Sequence, residues 1–180
     1  RRAWAMTSRG RVEPARFYQE AAVVNAHATA WLEANKNTRF FLFLHYMDPH
    51  DPYFEHPYNG VGYARAGDQN PPAELAPVFS DLYDGEVRYL DQHLGRLFDW
   101  LKETGLYENT LIIVTRDHGE EFQEHGGWWH GQTLYQEQIA VPLIIKYPTN
   151  SSSGPVNGSV VHELVRSLEI APTVLDVAGL

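Results

Sequence analysis

The sequence predicts an α/β fold, a mostly parallel central sheet flanked by helices, and three observations carry that expectation. Phe40 to Leu44 and Leu111 to Val114 are short apolar runs with the aromatic, aliphatic and β-branched content of buried strands. Between them, Tyr83, Val87, Leu90, Leu94, Leu97 and Leu101 keep helical spacing over about five turns. Strand, helix and strand in that order imply right-handed parallel crossover connections.

Each element has its own signal. Phe17, Ala21, Val24, Ala28 and Trp31 recur at alternating steps of four and three, which predicts an amphipathic helix over 14–34 covering one sheet face. A polar turn, Asn35 to Arg39, precedes the first strand, which extends to His45. The stretch 52–77 mixes Pro, Gly and Tyr with no period and reads as a long surface excursion, of a length that is usually functional or mobile. In the second helix Arg88, Asp91, Arg96 and Asp99 fall opposite the apolar stripe, and Gly105 suits a left-handed stop. Leu143 to Tyr147 is a further strand and Asn150 to Ser159 a Ser/Gly linker. Val160 to Arg166 is a candidate edge strand, and Pro172 fits the first turn of a closing helix.

Composition bounds the function. The apolar fraction of 43% and aromatic fraction of 13% belong to a globular chain rather than a disordered tail. A net charge of -9, from 14 basic and 23 acidic residues, argues against a nucleic-acid partner, because phosphate contacts need clustered Lys and Arg. No apolar run approaches the roughly 18 to 20 residues of a membrane span. With no cysteine there is no disulfide and no thiolate metal site, so any cation must rely on oxygen and imidazole ligands.

The chemistry concentrates where strands end. The run Leu111 to Val114 gives way to Thr115-Arg116-Asp117-His118-Gly119-Glu120, and in open α/β sheets ligands bind beyond the carboxyl ends of strands. An ionised carboxylate supplies charge to a divalent cation and a neutral imidazole supplies a lone pair, while Gly119 lets the backbone turn without a Cβ clash. A capping Asp beside a solvated His is the bland alternative. Clustering favours a site, since His45, His50, His56, His118, His125 and His130 all fall at or after expected strand ends.

These motifs, in this order, resemble the sulfatases within the alkaline-phosphatase-like superfamily of metal-dependent hydrolases. Asp48-Pro49-His50-Asp51-Pro52-Tyr53 looks like the family's strand-end loop, and Tyr83 to Asp91 like the start of its long helix. Asn109 to Glu120 resembles its second metal-ligand strand, with His125-Gly126 and His130 to Glu137 as the loop that follows. Val141 to Ile145 looks like the next strand, and Ile170 to Gly179 like the helix after it. The likeness covers most of the chain from Arg39 to Leu180, so that 39–180 reads as the motif-bearing core of one sulfatase-like α/β domain and 1–38 as a helical lead-in. The family's early Cys/Ser-x-Pro-x-Arg motif, whose Cys or Ser becomes the formylglycine nucleophile, does not occur here. The expectation is a middle-to-late piece of a longer enzyme, inactive alone, with the nucleophile outside this chain.

The resemblance implies a sulfuric ester hydrolase acting on a small-molecule or glycan sulfate ester, in a periplasmic or secreted setting. Asp117 and His118 would hold the metal. Calcium is the family's usual cation, whereas the imidazole of His118 suits manganese or zinc better. His50 would contact the ester oxygens or assist the formylglycine hemiacetal, and His130 stands near the position where many sulfatases place a Lys at the leaving oxygen; an imidazole can serve there as general acid. His125 reads as a loop residue or a second-layer partner orienting His118. Glu120 and Glu121 read as loop or helix-start acids, and Trp128 with Trp129 as packing or the floor of a sugar or aryl pocket. Tyr53, Tyr58 and Tyr63 would border the active-site mouth or simply pack. A phosphodiesterase, phosphonate monoester hydrolase or phosphoethanolamine-type transferase of the same superfamily is the alternative enzyme. A non-catalytic homologue is the alternative outside catalysis.

Overall fold

The computed structural model describes residues 19–60, 62–63, 65, 68–152, 154 and 158–180. Phe17 and the predicted helix start at 14–18 lie outside them. In chain order the elements are α1 (Ala21–Asn35), β1 (Tyr53–Phe54), β2 (Gly62–Tyr63), α2 (Ala76–Glu103), β3 (Ile112–Thr115), β4 (Glu121–Phe122), β5 (Trp128–Trp129), α3 (Gln136–Ile139), β6 (Leu143–Lys146) and α4 (Ile170–Ala178). The chain divides into two compact units, one formed by the chain up to Trp100 with His118–Ala140, the other by Leu101–Asp117 with Val141–Leu180.

In the first unit α1 buries Ala21, Ala28 and Leu32, a stripe rotated slightly from the expected one. Trp31 is therefore left at its margin, edge-on to Phe40 with centroids 6.0 Å apart. Asn25 links two segments, donating to the His93 carbonyl at 2.7 Å and accepting from the Tyr46 hydroxyl at 2.7 Å. Helix α2 follows a 3₁₀ turn, Ala73–Leu75, and so begins earlier than the periodicity suggested. Phe79, Leu82, Glu86, His93, Leu97 and Leu101 are its buried positions. They recur at steps of three, four and seven, as one helix face requires. Two polar side chains thus occupy the stripe, while Val87, expected in it, is exposed. The helix stops where Gly105 turns left-handed at φ +73° and the Leu106 N–H donates back to the Leu101 carbonyl at 2.9 Å.

An aromatic core closes this unit: Tyr53, Phe79, Leu82, Phe122, Trp128 and Trp129 form one buried cluster. Phe79 meets Trp129 edge-on at 5.2 Å and Trp128 at 5.5 Å, arrangements each worth about 0.5–1.5 kcal/mol beyond area burial. Trp128 and Trp129 are packing residues, and Tyr53 is a core residue rather than part of a channel wall.

In the second unit β3 pairs with β6 antiparallel, Ile112 opposite Lys146 through Thr115 opposite Leu143. Lys146 caps the far end by donating to the Tyr107 and Thr110 carbonyls, with its ammonium 4.4 Å from the Tyr107 ring centre. Helix α4 ends at Gly179 (φ +74°), whose N–H donates to the Asp176 carbonyl at 3.1 Å.

Two sequence expectations change here. All strand pairs among the described residues are antiparallel, β1 with β2, β3 with β6 and β4 with β5, so the mostly parallel central sheet is not seen in them. A strand whose partner runs the opposite way needs no helical crossover, and apolar runs alone do not record direction. Phe40 to His45 forms no strand among the described residues, with Phe41 78% and Phe43 77% exposed while Leu42 and Leu44 are half-buried. Val160 to Arg166 forms no strand and is exposed throughout.

Candidate active site

Three expected site residues come together in the first unit. The ring centres of His118 and His130 are 3.9 Å apart and those of His130 and His50 are 6.5 Å apart, giving a row with His130 in the middle. Each imidazole is held the same way. His118 Nδ1 bonds the Gly119 carbonyl at 2.8 Å, His50 Nδ1 the Asp51 carbonyl at 2.6 Å, and His130 Nδ1 the Glu120 carboxylate at 2.9 Å. Carbonyl and carboxylate oxygens only accept, so Nδ1 carries the proton in all three.

Local folding explains the row. Gly119 is needed for close approach rather than for a turn. Its N–H donates to the Gln138 carbonyl at 2.7 Å, and a Cβ would stand 1.8 Å from the Glu137 carbonyl oxygen. Glu120 follows, its Oε1 on His130 and its Oε2 accepting the Tyr53 hydroxyl at 2.7 Å. Burial, reinforced by the Glu120 charge and hydrogen bond, pushes the Tyr53 phenol far above its ordinary range, so it remains a donor. Glu121, fully buried, accepts from the Gly127 N–H at 2.7 Å and the Gln138 amide at 2.8 Å, closing the loop that carries His130. Just before His130, Trp129 sits in the left-handed region at φ +70°. A bulky residue there costs about 1–2 kcal/mol, which its burial in the aromatic core offsets.

The His50 loop is anchored from below. The Ala21 N–H donates to Asp48 Oδ1 at 2.9 Å, whereas Asp48 Oδ2 is buried without a partner. Burial raises the Asp48 pKa, opposed by its backbone hydrogen bonds.

Asp117 and His118 are consecutive, but the division of the chain falls between them. Asp117 ends a segment of the second unit and is exposed; His118 begins a segment of the first. Among the described residues no group of three or more His, Cys, Asp or Glu side chains forms a cage that would hold a metal. Taken singly, each is a donor type that divalent cations accept: Asp117 an exposed carboxylate, His118 an imidazole whose Nδ1–H rests on a carbonyl.

Other histidines are elsewhere. His125 is exposed, bonded to Glu137 Oε1 at 2.6 Å and stacked on Tyr135 at 3.7 Å, contacts of the loop residue it was read as first. His45 is exposed at the end of the Phe40 to His45 run. His56 bonds the wholly buried Glu86 at 2.7 Å and stacks on Tyr89 at 3.9 Å. His56 and Tyr89 border a cavity of about 700 Å³ with Arg88 and Tyr58, and none of His50, His118 and His130 lines it. Sequence reasoning missed Glu120 as the partner of His130 and Tyr53 as the partner of Glu120. Tyr53 lies three residues past His50 and Glu120 two past His118, yet no spacing rule joins acids and phenols from different loops.

The family profile described as Sulfatase matches residues 4–180, and the chain belongs to the sulfatase family. It is 35% identical over 97 residues to an N-acetylglucosamine-6-O-sulfatase of Bacteroides thetaiotaomicron, a match covering 54% of this chain and 16% of that protein. The multifunctional alkaline phosphatase superfamily protein PehA of Trinickia caryophylli is 28% identical over 206 aligned positions, covering 90% of this chain and 38% of its own length. A choline-sulfatase of Rhizobium meliloti is 27% identical over 168 positions, covering 77% and 31% respectively. The chain thus spans well under half the length of these relatives. The family implies an alkaline-phosphatase-like α/β fold. Among the described residues, no helix is long and apolar enough to cross a membrane.

Proposed function

We propose that the protein carrying this chain hydrolyses sulfuric esters, of a small molecule or a glycan, and that this chain supplies the metal-binding pair and the acid half of the site. The observation that carries the reading is the row His118, His130, His50, each ring held through Nδ1. His50 binds a nonbridging oxygen of the ester. His130 gives the proton on Nε2 to the departing oxygen, and the resulting neutral ring keeps its Nδ1–H on Glu120. Asp117 and His118 hold the cation, which supplies Lewis acidity at the ester and at the nucleophile. Calcium is the cation of the sulfatase reading, with manganese or zinc favoured by the imidazole donor. The nucleophile, a formylglycine in this reading, is contributed from outside the chain. In this reading Phe40 to Leu44 belongs to the larger, mostly parallel sheet of that domain; exposed Phe41 and Phe43 alternating with half-buried Leu42 and Leu44 suit a strand awaiting a neighbour.

Phosphoryl transfer within the same superfamily is the second reading. The His118 donor favours it, as does the likeness to the multifunctional Trinickia protein over 90% of this chain. The deciding experiment assays the full-length protein, after metal stripping and resupply, on paired aryl sulfate and bis-aryl phosphate substrates, with the upstream reading frame sequenced. Sulfate turnover and an upstream Cys/Ser-x-Pro-x-Arg support the sulfatase. Phosphate-only turnover with a Thr or Ser nucleophile moves the protein to the other branch. Asp117→Ala should abolish metal loading and turnover together; full metal content in that variant would sink the assignment of the pair.

A further inference from the structure

We propose that Glu120, braced by Tyr53, is the positioning residue of His130: it fixes the ring's orientation and its Nδ1–H tautomer, so that Nε2 is the nitrogen turned to the reactant. The proposal rests on the ester-cleavage reading for what His130 does, but the arrangement itself is independent of substrate. Glu120 Oε1 receives Nδ1–H at 2.9 Å and Oε2 receives the Tyr53 hydroxyl at 2.7 Å. Both oxygens only accept, so each bond has one polarity.

The brace is rigid. Tyr53 has no exposed surface and is walled by Tyr83, Phe122 and Trp129, with ring centres at 5.8, 6.1 and 6.4 Å. On its other side Glu120 follows Gly119, whose backbone is pinned to Gln138 with no room for a Cβ. A purely structural role is already filled by the neighbouring carboxylate, since Glu121 holds Gly127 and Gln138 and closes the loop. Glu120 reaches the ring of His130 and the phenol of Tyr53. Free imidazole interconverts between tautomers, and a carboxylate on one nitrogen selects among them.

The test uses the full-length protein with ¹⁵N-labelled histidine, reading the His130 tautomer by long-range ¹H–¹⁵N correlation beside kcat and KM on an aryl sulfate. Glu120→Ala is expected to shift His130 away from the Nδ1–H form and to lower kcat about 10–100-fold, with KM nearly unchanged. Glu120→Gln should restore most of both, because its amide oxygen accepts Nδ1–H while its NH₂ donates to the Tyr53 oxygen. Should Glu120→Ala fail to fold, Tyr53→Phe carries the test with the same signs and a smaller loss. An unchanged tautomer in the folded variant, or equal loss in the Ala and Gln variants, overturns the proposal. A wild-type protein that cleaves no sulfate ester overturns the functional reading instead, and the tautomer measurement still decides the positioning.

Discussion

His118 and His130 lie ring against ring, 3.9 Å between centres and tilted by 31°, each with Nδ1 committed to an oxygen acceptor. Both rings are thus fixed in orientation, and in the proposed function one serves a cation and the other a leaving oxygen. His130→Ala should therefore cost roughly 10²–10⁴-fold in kcat, the usual worth of a positioned proton donor. His125→Ala should change kcat less than about threefold, because its ring stacks on Tyr135 and bonds Glu137 away from the row. Steady-state kinetics on the two variants check this; comparable losses would mean the row is not the reaction centre.

Gly119→Ala should destabilise the protein by about 1–3 kcal/mol, the cost of forcing a group into a filled site. The added methyl meets backbone, the Glu137 carbonyl at 1.8 Å, which no rotamer change relieves. Urea unfolding of the variant checks it. A wild-type midpoint would show that the 118–120 segment can back away from α3.

The contrast between expected and observed roles of Gly119 shows what the sequence made legible. The apolar run ending in Asp117-His118-Gly119 and the long second helix could be read because period and composition are local properties. So could the closing helix, with Pro172 in its first turn and Gly179 in its left-handed cap. Partner choice is a tertiary property. The antiparallel β3–β6 pairing, the link from Glu120 to His130, and the presence of Glu86 and His93 in the buried stripe of α2 depend on which segments meet. Helical periodicity placed Val87 inward because an aliphatic is the default for that face. Glu86 took the place beside it because the Phe54 N–H and His56 satisfy its carboxylate.

That buried carboxylate makes a prediction about pH. Glu86 has no exposed surface, and burial raises its pKa despite opposing bonds from His56 and the Phe54 N–H, with the Asp48 charge adding to the rise. A raised carboxylate pKa means that the folded state holds its proton where the unfolded state has released it. Stability is then lost as pH climbs from the ordinary carboxylate range, about 4.5, through the folded value. Glu86→Gln keeps an acceptor for Phe54 and a donor for His56 without that titration. Its stability relative to wild type should rise with pH across this interval and be level below it. Denaturation at a series of pH values checks the sign; a difference that falls with pH would mean that Glu86 ionises more readily in the fold than in the unfolded chain.

Glu121 should respond to the same substitution in the opposite way. Its Oε1 takes the Gly127 N–H at 2.7 Å and its Oε2 the Gln138 amide at 2.8 Å, so both oxygens face donors. An amide at position 121 must turn its NH₂ toward one of them, leaving two donors opposed in a site closed to water. Glu121→Gln should thus lose about 1–3 kcal/mol, the cost of a buried polar group left unsatisfied. It should also lower kcat, since Gly127 and Gln138 flank the segment bearing His130. Urea unfolding and kinetics on one preparation measure both. Stability within about 0.5 kcal/mol of wild type, the range of an ordinary surface change, would show that the loop closes without the charge.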